Sequence, residues 1–180
     1  MMLNGIIRYG SKKGFLLTNW YNFLGILGQF DHLTVDLSNI ERLVFICKGN
    51  ICRSAFAEAV AIKHGFKAIS FGICAIKDAS ANERAITTAD KLGYNLNSHK
   101  TTPMAYPILK KTDLLISMEP WQHDFVEKYL GRKHNSTLLG LWSNPHLPYI
   151  HDPYGCSSEY FDQCFNFIEK AVINMIKKIN

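Results

Sequence analysis

The chain has 180 residues, 47% hydrophobic and 19% charged, with a formal net charge of +5. That is room for one domain with a sizeable core, and the composition excludes a disordered or fibrous protein. The cationic excess is mild and no run of Lys and Arg forms a stripe, so no nucleic-acid partner is expected.

Residues 1–40 read as an N-terminal extension, part helical. Arg8, Lys12 and Lys13 precede an apolar stretch from Phe15 to Phe30, but Asn19, Asn22 and two glycines interrupt it. No small-x-small cleavage site follows, so the stretch fits neither a signal peptide nor a membrane span, and the expected location is the cytoplasm. Leu16, Trp20, Phe23, Leu24, Leu27 and Phe30 recur at helical spacing. The spacing predicts a helix whose apolar stripe packs on the domain or in a dimer contact. The alternative is a helix on a membrane surface or a partner, assisted by the upstream cations.

From Arg42 strands and helices alternate. "RLVFIC" is an apolar run suited to a buried parallel strand. "SAFAEAVAIKHG" follows as a helix with Ala55, Ala59 and Ile62 near one face and Gly65 as its stop. "KAISFG" reads as a second strand and "NERAITTADKLG" as a second helix ending at Gly93. "TDLLISM" is a third strand, "EPWQHDFVEKYLG" a helix, and "STLLGLW" a fourth strand. A loop with Pro145, Pro148 and Pro153 leads to a last helix from about Ser158, with Phe161, Cys164, Phe165, Ile168, Val172, Met175 and Ile176 as its apolar face. The expected fold is a single α/β domain over 41–180, a four-stranded parallel sheet flanked by helices on both faces.

Ligands bind such sheets at the carboxyl ends of the strands. "CKGNICRS", Cys47 to Ser54, sits there between the first strand and first helix. A loop of this kind can turn several backbone N–H groups inward, and the helix start adds its own, making a cradle for a phosphate-like oxyanion. Gly49 is expected to supply a backbone conformation that larger residues resist. Arg53 has a planar fork for two oxyanion oxygens. A Cys47 thiol facing these dipoles ionises readily and becomes a nucleophile placed beneath a bound phosphate, and Ser54 can donate to its sulfur. The five cysteines, Cys47, Cys52, Cys74, Cys156 and Cys164, are odd in number and scattered, unlike a secreted disulfide framework. No second pair at short spacing accompanies Cys47 and Cys52 as a zinc site would require. Neither a metal nor any other cofactor is expected.

These motifs resemble the low-molecular-weight protein tyrosine phosphatase family. Cys-x5-Arg-Ser with Gly-Asn-Ile-Cys inside it is similar to the family signature. "ISFG", "NSHK", "LISMEPWQHDF", "LLGLW" and "HDPYG" resemble its later segments, so the likeness spans about 42–180. The resemblance implies Cys47 as nucleophile and Arg53 as the holder of the phosphate and its transition state. It places Lys48, Gly49, Asn50, Ile51, Cys52 and Ser54 in the phosphate loop, with Asn50 and Ser54 supporting the thiolate and Ser70 and His99 behind Asn50. Asp152 would protonate the leaving phenolate and then activate water against a phosphocysteine. Such a group is chemically required, because the thiolate has no proton to give. Pro153 would stiffen that loop, and Tyr154 would wall the slot for an aromatic ring. Cys52 would pair reversibly with Cys47 and guard it from irreversible oxidation, or serve as packing.

Departures from the family are Ala55 where proline is common, Phe71 where a small residue is usual, and Gly155 where a second aromatic often follows. Phe71 is expected to crowd the region behind the loop. Lys48 sets a cation at the rim that favours acidic residues around a phosphotyrosine, or is only solvated. Arsenate reductases share the loop but use two further cysteines, absent here from the segment after the third strand. Protein arginine phosphatases resemble it too but carry Thr at the position of Ile51. A non-enzymatic phosphate-binding scaffold would be expected to lose Cys47, Arg53 or Asp152. "LLGLW" and the Asp-Pro-Tyr loop look most like bacterial members of capsule and exopolysaccharide systems, which implies a membrane tyrosine autokinase as partner and phosphotyrosine protein as substrate.

Overall fold

A computed structural model describes residues 8–130 and 134–179. Gly131, the last residue of the expected helix "EPWQHDFVEKYLG", lies outside the described residues, as do positions 1–7 of the extension. Four strands, β1 (Arg42–Cys47), β2 (Ala68–Gly72), β3 (Asp113–Ser117) and β4 (Asn135–Leu138), form one sheet in the order β2-β1-β3-β4. All pairings are parallel, and Cys47 stands opposite Gly72 in the register.

β1 is apolar without interruption because both its faces are covered. Leu43 and Phe45 join Leu114 and Ile116 in a core beneath α2 (Arg53–Lys63), α3 (Glu83–Lys91) and α5 (Ser158–Ile179), where Phe56 stacks on Phe165 with ring centroids 4.1 Å apart. Val44 and Ile46 pack on the other face with Phe71, Leu115 and Val126 of α4 (Pro120–Leu130). Phe71 therefore points away from the Cys47–Ser54 loop and does not crowd it. All seven residues predicted for the apolar face of α5 are buried.

Three local expectations are corrected. In α2 the buried face is Ala57, Val60, Ala61 and Phe56 together with Ala55, whereas Ile62 is 56% exposed. The run "STLLGLW" is strand only as far as Leu138. It then turns as a short 3-10 segment, Leu139–Trp142, because the returning chain presses its Leu147 carbonyl against Gly140, where no side chain fits.

The third concerns the extension. Helix α1 (Lys12–Ile26) forms, with the Ser11 hydroxyl accepting from Gly14 N–H as its N-cap. Its stripe does not pack on the domain, which leaves the expected dimer contact or a membrane or partner surface: Leu16, Trp20, Phe23 and Leu27 are all more than half exposed. The helix instead buries Gly14 and Thr18. Gly14 lies so close to the His151 ring that a Cβ would come within 2.7 Å of it. Close backbone approach at Gly14 and the stacking of Tyr21 on Tyr149, rather than the predicted stripe, seat α1. Only Leu24 and Phe30 of the predicted stripe join a small cluster, with Leu33 and Leu138.

Candidate active site

Cys47 ends β1, and its loop runs to the start of α2. The carbonyls of Cys47, Lys48 and Ile51 accept from the N–H groups of Ile73, Cys74 and Asn82, at 3.0, 2.8 and 2.9 Å. The Asn50 carbonyl is bonded to His99 Nε2 at 2.8 Å. In a trans peptide the carbonyl and the following N–H point opposite ways. With four carbonyls held outward, the N–H groups of Lys48, Gly49, Ile51 and Cys52 are turned inward, and none finds an acceptor among the described residues. Asn50 N–H donates to Cys47 Sγ at 3.2 Å. A ring of free donors around one sulfur is a seat for a tetrahedral oxyanion.

Asn50 shapes this loop. Its φ of +57° is left-handed, a region that Asn tolerates better than most residues. The special backbone position is thus Asn50 and not Gly49, where a Cβ would make only an ordinary contact with Ile51. The Asn50 amide donates to Ser54 Oγ at 2.9 Å and Ser70 Oγ at 2.7 Å, and accepts from Thr102 N–H at 2.8 Å. Because Ser54 Oγ accepts from Asn50, its own hydrogen is free for Cys47 Sγ, 3.0 Å away. Ser70 passes its hydrogen to Glu58 at 2.5 Å. The bonds run both ways from the Asn50 amide, through Ser70 to Glu58 and through Ser54 to the Cys47 sulfur, and fix the hydroxyl that faces the sulfur.

Arg53 opens α2 and is 1% exposed. One end of its guanidinium, Nη1, donates to Glu119 at 2.6 Å and to the Ile150 carbonyl at 2.8 Å. Nη2 meets Asp152 Oδ2 at 2.8 Å, and Nε has no partner among the described residues. Nε and Nη2 form the side-on fork that grips two oxygens of a phosphate. Burial opposes the charge, but Asp152, Glu119 and Cys47 offset it, and the pKa of Arg53 lies above the ordinary value. A permanently charged, rigidly held fork faces the pocket.

That pocket, of about 220 Å³, is lined by Cys47, Lys48, Gly49, Cys52, Arg53 and Asp152, with Tyr154 63% exposed at its edge. The structure thus brings the three predicted reacting residues together and sets Ser54, Asn50, Ser70 and His99 behind them. Cys52 is a free thiol, as is Cys47, and burial pushes its pKa well up. Larger clefts lie along α1. One of about 310 Å³ has no thiol in its lining, and one of about 330 Å³ has only Cys164, which burial pushes up to about 12. Chemistry rather than size selects the site.

Sequence reasoning missed Glu119, Glu58, Thr102, Gly72 and His151. Gly72 is where the loop backbone crosses β2: a Cβ there would lie 2.9 Å from Asn50 N and from the Gly49 carbonyl carbon. Gly72→Ala is therefore expected to displace the cradle, costing about 1–3 kcal/mol of stability and up to about 10²-fold in kcat/KM. Thermal unfolding and aryl phosphate hydrolysis check both. His151 bonds Tyr149 through Nδ1 at 2.8 Å and Ser11 through Nε2 at 2.9 Å, tying α1 to the segment that carries Asp152.

Burial lowers the pKa of both His99 and His151 below 6.5, with Arg53 adding to the effect at His151. Below that pH the unfolded chain binds more protons than the native one, so the stability from these neutral rings is lost as pH falls. The unfolding temperature is expected to drop from pH 7 toward pH 5.5, with a smaller drop in His99→Gln. Glu58, whose pKa burial raises, works the other way in both proteins and cancels in that comparison. An identical slope in the variant would remove His99 from the account.

The model of the low molecular weight phosphotyrosine protein phosphatase family matches residues 42–180. The low molecular weight protein-tyrosine-phosphatase Ptp of Acinetobacter johnsonii is 28% identical over 143 residues, covering 77% of this chain and 98% of that protein. The protein-arginine-phosphatase of Bacillus subtilis is 25% identical over 145 residues, 76% of this chain and 95% of its own length. The crystal structure of the Erwinia amylovora tyrosine phosphatase AmsI is similar with a TM-score of 0.70 at 27% identity, over 77% of this chain and 93% of that one. The family match runs from the strand that ends in Cys47 through the closing helix, and the chain belongs to the low molecular weight phosphotyrosine protein phosphatases.

Proposed function

We propose that this protein hydrolyses phosphotyrosine in proteins through a phosphocysteine on Cys47, with 41–180 as the catalytic unit and 1–40 as an appended segment. The observation that carries this reading is the buried Arg53 fork, its Nε unpartnered, in one pocket with a thiol ringed by free N–H groups. The incoming phosphate takes the fork and displaces Asp152 from Nη2, and the freed carboxylate takes up from solvent the proton it later delivers. Cys47 sulfur attacks phosphorus in line, the P–O bond to the phenol breaks, and Asp152 gives its proton to the leaving oxygen. Asp152 then takes a proton from water as that water attacks phosphorus, and thiolate and inorganic phosphate are released. Tyr154 flanks the ring of the substrate, and Cys52 guards Cys47 as a disulfide partner when it is oxidised.

The relative that acts as a protein-arginine-phosphatase keeps a second substrate in play. Ile51, bulkier and less polar than threonine, supports the aromatic ester. Peptides carrying phosphotyrosine or phosphoarginine separate the two: the proposal expects faster hydrolysis of phosphotyrosine by wild type, and the reverse order would assign the site to arginine.

The resemblance to bacterial members of capsule and exopolysaccharide systems supports a membrane tyrosine autokinase as the physiological substrate, met in the cytoplasm. The exposed Leu16, Trp20, Phe23 and Leu27 of α1, with Lys12 and Lys13 at its start, support contact of the extension with a membrane surface. Among the described residues no helix is long and apolar enough to cross one. Sedimentation with anionic vesicles that survives deletion of residues 1–38 would dismiss that contact.

A further inference from the structure

A further cleft, of about 370 Å³, opens beside the catalytic pocket, between α1 and the catalytic loops. Lys13 and Tyr21 of α1 form one side, and Lys48, Trp121 and Tyr149 the other. Lys48 and Asp152 line both cavities, so the two are continuous at the rim where a substrate chain would leave the phosphotyrosine slot. The family match starts at residue 42, and one wall of this cleft therefore comes from outside the family's own fold.

The wall is held in place. The Ser11 side chain bonds His151 at 2.9 Å, Gly14 rests on the same ring, and Tyr21 stacks on Tyr149 with centroids 5.3 Å apart at 22°. Such a preformed surface binds without first paying to order itself. Its charge is also defined. Of the two acids in the lining, Glu119 is engaged by Arg53 at 2.6 Å, where it also accepts from Trp121 Nε1 at 2.9 Å, and Asp152, 2.8 Å from Arg53 in the unliganded site, carries the proton for the leaving group once phosphate displaces it. Lys13 and Lys48 are exposed, and neither forms an ion pair among the described residues. What the cleft offers a ligand is two free ammonium groups above aromatic walls.

We propose that this cleft is a substrate subsite for an acidic residue neighbouring the phosphotyrosine, its carboxylate held between Lys13 and Lys48 and its chain lying against Tyr21 and Trp121. The N-terminal extension is then a specificity element that the catalytic domain alone lacks. The inference rests on the phosphotyrosine reading above and extends it to the sequence around the phosphorylated residue.

The test compares kcat/KM on two phosphotyrosine peptides that differ only in carrying glutamates or alanines beside the phosphotyrosine. 4-Nitrophenyl phosphate, which has nothing to place in the cleft, is measured in parallel. Wild type is expected to prefer the acidic peptide. Lys13→Glu should reduce that preference about three- to tenfold, Lys13→Gln by less, and Lys12→Glu, the same charge change one position away and outside the cleft, should keep it. The preference should also shrink in about 1 M salt, where the Debye length is about 3 Å. Equal loss in Lys12→Glu and Lys13→Glu would reduce the effect to a general field and overturn the subsite, as would a wild type indifferent to the glutamates. Failure of wild type to hydrolyse 4-nitrophenyl phosphate would instead overturn the phosphatase reading itself.

Discussion

Cys47→Ser is expected to abolish turnover of any aryl phosphate, a loss of roughly 10⁴–10⁶-fold, while phosphate still binds. The hydrogen bonds that converge on the sulfur, from Asn50 N–H at 3.2 Å and Ser54 Oγ at 3.0 Å, are aimed at the attacking atom. They do not suffice for an alkoxide, whose parent hydroxyl is a far weaker acid, and removing the nucleophile of a cooperating set costs nearly the whole rate. The binding groups are untouched, since Arg53 and the four inward N–H groups do not depend on the sulfur. Steady-state hydrolysis together with calorimetric titration of inorganic phosphate separates the two effects. A variant that retains turnover within tenfold of wild type would remove Cys47 from the chemistry.

Asp152→Ala is expected to slow hydrolysis of phenyl-type esters by about 10²–10⁴-fold, the usual worth of a general acid. The loss should depend on the leaving group, because 4-nitrophenolate departs without a proton whereas phenolate needs one. A series of aryl phosphates of rising leaving-group pKa should therefore give a steeper dependence in the variant than in wild type. A second effect has the opposite sign. Asp152 occupies Nη2 of Arg53 at 2.8 Å in the unliganded site, and its removal leaves that fork free. Inorganic phosphate should then inhibit the variant more tightly than wild type. Equal slopes in the two leaving-group series would place the acid elsewhere.

The sheet was legible because parallel strands covered on both faces must be apolar throughout, and "RLVFIC" and "TDLLISM" admit no other placement of so many buried residues. The closing helix was legible because its 3.6-residue period is strong. α2 was less so: an alanine-rich helix carries little contrast between faces, and Phe56 outweighs Ile62 only once the position of α5 is known. α1 misled because its most apolar positions are on its outer face. Helix periodicity shows which residues share a face, and only the contact with His151 shows which face is turned inward.

In the site, spacing alone brought Cys47 and Arg53 together, since the loop is local. Asp152 came from the resemblance, a hundred residues away. Glu119 and Glu58 had no signal, for a buried carboxylate and a solvated one look alike in a single sequence. Glu119, just before a helix, reads as an ordinary acidic residue near an N-terminus, yet it holds the Nη1 end of Arg53 and so sets which edge faces the phosphate. Gly72 was hidden for the same reason. Its need to be small comes from the loop that crosses it, not from its own strand.

The most direct measurement is mass spectrometry of the protein quenched by denaturant during turnover of 4-nitrophenyl phosphate, whose leaving group departs without a proton, with Asp152→Ala included to slow breakdown of the intermediate. The account predicts one phosphoryl group on the peptide that contains Cys47, appearing in the burst phase and absent from Cys47→Ser. Full turnover with no phosphoryl group on Cys47 at any time, in either protein, would contradict it and assign the attack on phosphorus to water.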